Sequence, residues 1–310
     1  MPSKAIKTVT LAAVVVITLP FAGARRAQNS AKTQTGSTSG DALDRAKTLR
    51  GAADALGMVR WSDIGAGGSH LPGVDVVNTM EIWGSGITYG SDKDGEFSAA
   101  GPAFKTEYHV SLAYNPPAMR VELTRVNSDS SGSGDVPQHS IQVVREKYAW
   151  DESELGAGLV LGKGIATPTP ATHNRRLLQL WVLPYGVVKA ALAAGDKTKI
   201  SEESGTTFIT FPLSGQLAAI TVKATLNARN EIERVETQSD NPMLDEMLTE
   251  TEYSGYADHG EILTDIKSPG HIIQKQGGRL MLDLQVKKVD ANNPYLVFPV
   301  PENVKNATSH

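Results

Sequence analysis

Lys105–Tyr114 reads KTEYHVSLAY, and after the turn Asn115-Pro116-Pro117 the chain resumes as AMRVELT over Ala118–Thr124. In the first stretch Thr106, Tyr108, Val110, Leu112 and Tyr114 alternate with Lys105, Glu107, His109 and Ser111. In the second, Met119, Val121 and Leu123 alternate with Arg120, Glu122 and Thr124. A period of two sends one set to a buried face and the other to water, the pattern of an antiparallel sheet solvated on one side.

Outward from this hairpin the same pattern recurs. Val76–Tyr89 reads as a strand with a bulge or bend at Gly84 and Gly86. Further strands are expected at Ile141–Trp150, Thr206–Leu213, Ala218–Asn227, Glu231–Thr237, Leu248–Tyr253, Ile272–Gln276 and Leu280–Val289. Asn227–Asn230 and Gln276–Arg279 carry hairpin-turn residues. Gly65–Gly73, Ser128–Pro137 and Gly156–Pro170 are expected to be loops, and Phe298-Pro299-Val300-Pro301 is too proline-rich for a central strand. Asn174–Ala194 is the one strongly apolar helical stretch, with Leu177, Leu180, Trp181, Val188 and Leu192 as its stripe; Pro184 and Gly186 should divide it into two short helices. Asp41 or Asp44 is expected to cap an earlier helix running to Met58, with Leu43, Ala46, Leu49, Ala53 and Leu56 near one face. The fold class expected is mainly β (α+β): a curved antiparallel sheet or half-barrel of about ten strands, covered by the central helical insertion and the N-terminal helix. Residues 41–305 form a single domain in this reading.

Residues 1–24 place Lys4 and Lys7 before the apolar run Val9–Phe21, followed by Ala22-Gly23-Ala24. That order is a secretory signal peptide, and it predicts a periplasmic or secreted protein. The run is shorter than the ~20 residues of a membrane-spanning helix. Residues 25–40, rich in Ser, Thr, Gly and Gln, read as a flexible linker. Cleavage after Ala24 would leave 28 basic and 34 acidic residues, a balance that disfavours nucleic acid and anionic membrane surfaces as main partners. The chain has no cysteine, so neither a disulfide nor a lipid-modified cysteine anchor is available, and no stable membrane anchor is expected after signal cleavage.

The familiar catalytic patterns do not occur. No two of His70, His109, His139, His173, His259, His271 and His310 stand at a local zinc spacing; Asp258-His259-Gly260-Glu261 is the densest polar spot and reads as a solvated turn. There is no G-x-S-x-G elbow. Gly162-Lys163 lacks the first glycine and the following Ser or Thr of a phosphate loop, and Gly84-Ser85-Gly86 lacks the third glycine of a dinucleotide fingerprint. Glu202-Glu203 and Asp245-Glu246 are adjacent pairs, which a strand would point to opposite faces. Catalytic residues, metal ligands and cofactors are therefore not assigned. The aromatics remain: Trp83, Tyr108, Tyr114, Trp150, Trp181 and Phe208, with Leu177, sit in apolar segments. They read either as core or as the lining of an apolar groove between a curved sheet and its helices.

Two resemblances follow from these segments. Over Val76–Pro301, the sheet pattern, the central helices, Tyr253–Gly260, Pro269–Ile273, Asp283–Asp290 and the terminal Phe298-Pro299 resemble the lipoprotein-carrier (outer-membrane lipoprotein-sorting) class. That resemblance implies a half-open barrel closed by helices, with a hydrophobic small molecule or lipid as ligand. Ile141–Trp150, Arg176–Ala190, Val222–Asn241 and Ile272–Gly278 resemble the N-terminal region of exported bacterial metallo-β-lactamase-fold hydrolases. This implies an accessory, non-catalytic region and, as a partner, a zinc hydrolase encoded nearby. The His-x-His-x-Asp-His motif of the catalytic half does not occur in the chain, so no zinc ligand is carried over.

Overall fold

A computed structural model describes residues 38–58, 77–90, 102–127, 136–258 and 265–307. The signal, most of the linker, Gly65–Gly73 and His259-Gly260-Glu261 lie outside the described residues. The first element is helix α1 (Thr38–Ala55), which begins inside the expected linker. Asp41 and Asp44 therefore fall inside the helix and not ahead of it, so neither is its N-cap. It buries Leu49, Ala52 and Ala53, with Leu56 buried just past its end, whereas Ala46 is exposed.

The strands are β1 (Thr79–Tyr89), β2 (Ala103–Tyr114), β3 (Pro117–Asn127), β4 (Gln138–Arg145), β5 (Tyr148–Glu152) and β6 (Ala166–Pro168). After helices α2 (His173–Val182) and α3 (Pro184–Ala194) come β7 (Lys199–Glu203), β8 (Thr206–Pro212), β9 (Thr221–Leu226), β10 (Ile232–Gln238) and β11 (Thr249–Ser254). A small separate pair, β12 (Ala257–Asp258) and β13 (Lys267–Ser268), precedes β14 (His271–Gln276), β15 (Arg279–Ala291) and the short helix α4 (Glu302–Ala307). Thirteen strands form one open sheet in the order β6-β5-β4-β3-β2-β1-β15-β14-β11-β10-β9-β8-β7, and the ladders are antiparallel. It is thus the expected mainly β sheet with more strands than expected. Ile141–Trp150 folds as a hairpin on Glu146-Lys147 instead of one strand, and two short edge strands are added: β6, inside the expected loop Gly156–Pro170, and β7.

Strand alternation decides the two faces. The concave face holds the main core, including Met80, Ile82, Val110, Leu112, Val121 and Leu123, which packs against α1, α2 and α3. The opposite face is mostly polar. Its exception is a second apolar cluster of Ile141, Val143, Trp150, Phe298 and Val304, where the proline-rich tail and α4 lie over β4–β6. The tail is pinned there by Arg145 Nη1 donating to the Phe298 carbonyl at 2.7 Å and by Asn303 Nδ2 donating to the Ala166 carbonyl at 2.7 Å.

The bulge falls where the glycines predicted it, between Trp83 and Gly84 of β1 against β15. A Cβ on Gly86 would sit 1.9 Å from the Asp283 carbonyl oxygen, so only glycine lets these backbones approach. The helical insertion breaks at Leu183, and its two arms bend by 95°. Pro184 opens α3 at the position where a missing N–H costs least. Gly186 lets α3 pass close to the end of α2, because a Cβ there would meet the Leu180 carbonyl oxygen at 2.4 Å. The pair contributes Leu178, Leu180, Val182, Tyr185, Val187, Val188 and Ala191 to the core, while Leu192 of the expected stripe is 39% exposed.

Candidate functional site

On the concave face a cleft runs between the sheet and α2. Its mouth, about 200 Å³, lies by the end of β1 at Thr88–Gly90 and the start of β11 at Thr249, with Arg175 of α2 at the rim. Tyr108, Gln179, Gln274 and Leu282 line both this mouth and a 50 Å³ space that continues inward to Tyr253 and Leu183. The walls between are aliphatic: Val121 and Leu123 from β3, Leu282 and Leu284 from β15, and Ile272 from β14. At about 10–15 Å³ of such space per water, the inner part has room for only a few waters. The cleft is therefore a narrow seam, wider at its mouth than within.

The helix over this seam is fixed at both ends. Arg176, 5% exposed, donates to the Val143 and Trp150 carbonyls at 3.1 and 2.8 Å and to Asp151 Oδ1 at 2.6 Å. At the other end Tyr253 Oη donates to the Val182 carbonyl at 2.9 Å, satisfying an acceptor that the helix break leaves free. Tyr185 Oη donates to the Lys267 carbonyl and also meets Ser268 Oγ. Burial pushes the Tyr108 phenol up to about 12, against the lowering pull of Arg125, and raises Tyr253, Tyr185 and Tyr114 above the ordinary tyrosine value. Arg125 continues the concave row Val121-Leu123-Arg125. Its Nε is buried without a hydrogen-bond partner, and burial lowers its pKa.

A second, larger cleft of about 680 Å³ lies beside α3, between the end of β2 at Tyr114 and the end of β8 at Pro212. Tyr114 and Trp181 meet there with ring centroids 5.9 Å apart, and Lys189 Nζ stands 5.3 Å from the Tyr114 ring. A third assembly occupies the outer face. His109 stacks on Trp83 at 4.6 Å and places Nε2 3.3 Å from Glu81 Oε1 and Nδ1 3.3 Å from Glu122 Oε1. Hydrogen bonding to His109 holds the Glu122 carboxyl below the usual range, helped by Arg120. Ser111 Oγ lies 3.4 Å from His109 Nε2, which gives a Ser-His-Glu sequence of contacts. Ser111 is fully buried in mid-strand and accepts from Arg120 Nη2 at 3.4 Å, so its oxygen offers no face to an incoming carbonyl. We assign this assembly to sheet cohesion.

The structure thus divides the seven expected lining residues. Tyr108 lines the α2 cleft, Tyr114 and Trp181 line the α3 cleft, and Leu177 packs on the main core without lining either. Trp83, Trp150 and Phe208 point to the other face. Trp83 stacks on His109, Trp150 lies under the tail with Nε1 donating to Glu152 Oε1 at 2.9 Å, and Phe208 lies 4.2 Å under Lys223 Nζ. Strand parity separates them: Trp83 alternates with Ile82, and Phe208 with Ile209 and Phe211, which are core. Arg125, Gln179 and Thr249 were not singled out from sequence. For Arg125 the signal was present, since it occupies the next concave position after Leu123.

Among the described residues no group of three His, Asp or Glu could hold a metal ion, and no single helix is long and apolar enough to cross a membrane. Comparison with models of known protein families finds no match, and comparison with curated proteins finds none either.

Proposed function

We propose that this domain binds a lipid-like molecule in the cleft between α2 and the concave face and carries out no chemistry of its own. The observation that carries this reading is the continuity of the cleft: one set of side chains lines both the mouth and the apolar space within. Pockets for small molecules commonly measure about 300–1,000 Å³, so the present cleft is a closed form. An apolar chain would enter from the mouth as α2 lifts about the break at Leu183. The basic head, apolar run and small-residue site of residues 1–24 support action outside the cytoplasm.

The test uses an uncharged apolar fluorophore, N-phenyl-1-naphthylamine, whose emission rises on transfer out of water. Saturable binding is expected. Gln179→Trp, which adds bulk at the point shared by mouth and interior, should lower affinity by about tenfold or more while leaving the urea midpoint unchanged. Absent saturation, or equal binding by Gln179→Trp, would refute the proposal.

A second reading, an accessory domain for a separate zinc hydrolase, is favoured by one observation. The β5–β6 connection exposes Leu155, Val160, Leu161 and Ile165, an apolar surface of the kind that marks partner contacts. It predicts a reading frame bearing the His-x-His-x-Asp-His motif beside the gene for this chain.

A further inference from the structure

We infer that the ligand is an anionic amphiphile, with its carboxylate or phosphate held by Arg125 at the mouth of the cleft and its chain directed inward past Tyr108. The inference rests on the proposed lipid-like binding and specifies the head group.

Arg125 is a cation in the wrong company. It stands on the concave face in register with Val121 and Leu123, its Nε is buried without a partner, and it makes no ion pair among the described residues. Arg125 as a whole is half-buried, and even a partly desolvated guanidinium is ordinarily paired with a counter-charge. The neighbouring strand residues cannot supply the charge. Glu107 of β2 and Glu122 of β3 alternate onto the outer face, where Glu122 is bound to His109 and Arg120. Among the described residues no carboxylate lines the mouth; besides Arg125, Arg175 on the α2 rim and the donors of Gln142, Gln179, Gln274 and Gln276 line it. Thr249 Oγ1, also at the mouth, is buried without a partner. The mouth thus combines two guanidiniums, neutral amides and an unused hydroxyl, with an aliphatic seam behind. An oxyanion would satisfy the fork of Arg125, and only a ligand with an apolar tail would also fill the seam.

The proposal is tested by displacement of N-phenyl-1-naphthylamine from the full chain with four ligands of one chain length: dodecanoate, dodecyl phosphate, dodecanol and dodecyltrimethylammonium. Dodecanoate or dodecyl phosphate should bind about tenfold or more tightly than dodecanol, and the ammonium amphiphile most weakly. The ranking of the first two separates a fatty-acid-like from a phospholipid-like head. Arg125→Met should abolish the preference for the anion and leave dodecanol affinity unchanged, while Arg175→Gln at the exposed rim lowers anion affinity by about threefold. Because Arg125→Met removes a charge without a partner, its urea midpoint should not fall. Equal affinity of the wild-type chain for dodecanoate and dodecanol overturns the inference even if the fluorophore binds. So does an Arg125→Met variant that keeps the preference or loses its fold, since the latter would make Arg125 a structural residue. Failure of the fluorophore to bind at all would instead remove the lipid-like reading beneath it.

Discussion

Alkali should unfold this domain through its tyrosines. Tyr114, Tyr185 and Tyr253 are 6%, 1% and 3% exposed, and burial raises the pKa of each in the folded state. A tyrosine whose folded pKa lies above its unfolded value of about 10 contributes stability that is complete below that value and is lost as pH rises toward the folded pKa. At about pH 11 the unfolded chain gains about 1.4 kcal/mol per such group, so these three together withdraw about 4 kcal/mol. Tyr108 and Tyr256, raised as well but only half-buried, add a smaller amount. Against a typical domain stability of about 5–15 kcal/mol this is a large fraction. Urea denaturation followed by circular dichroism, repeated from about pH 9 to about pH 11, should show the midpoint falling steadily. Tyrosinate absorbance from the buried rings should appear with the loss of ellipticity. A midpoint that stays constant across this interval, or full tyrosinate absorbance in a natively folded protein, would refute the reasoning.

Two further predictions concern the frame of the cleft. Gly86→Val places a side chain against the Asp283 carbonyl where β1 meets β15; a loss of about 2–3 kcal/mol or more is expected by urea titration, and a neutral result would mean that the two strands separate freely there. Arg176→Leu removes the charged donor that the Val143 and Trp150 carbonyls share under α2 and leaves Asp151 without its ion-pair partner. It should cost about 3 kcal/mol and increase amide exchange in α2 relative to β2 and β3.

The hairpin at Lys105–Thr124 was legible because its two faces differ in chemistry at every residue. The bulge at Gly84, the break before Pro184 and the turn at Gln276–Arg279 were legible because each needs a special backbone residue. The β4–β5 turn was not, since Glu146 and Lys147 carry no turn signature, although Glu146 adopts a φ of 50°. The edge strand β7, KISEE, hides for another reason: exposed over nearly all its length, it has no apolar row to betray it. The site suffered from a similar limit. An aromatic in a strand names a face only once the parity of its neighbours is followed, and for Trp83 and Phe208 that parity points away from the helices. Trp150 misleads further, because its burial comes from a tail almost 150 residues later in the chain, which no local pattern encodes.

The strand order carries a consequence for biogenesis. Strands β1–β6 join neighbour to neighbour, as do β7–β11, so each half of the sheet can zip up locally as it leaves the ribosome. Within the sheet the halves are hydrogen-bonded to each other through β1 and β15, whose partners Met80 and Ala291 are separated by about two hundred residues. Until β15 is made, β1 stands as a long bare margin on the earlier half, with its N–H and C=O groups open to any passing strand. Closing that margin late is slow, since the intervening loop must be gathered first. In the cell, the half-made chain would therefore need either a holding chaperone or passage in an unfolded state until its last long strand arrives.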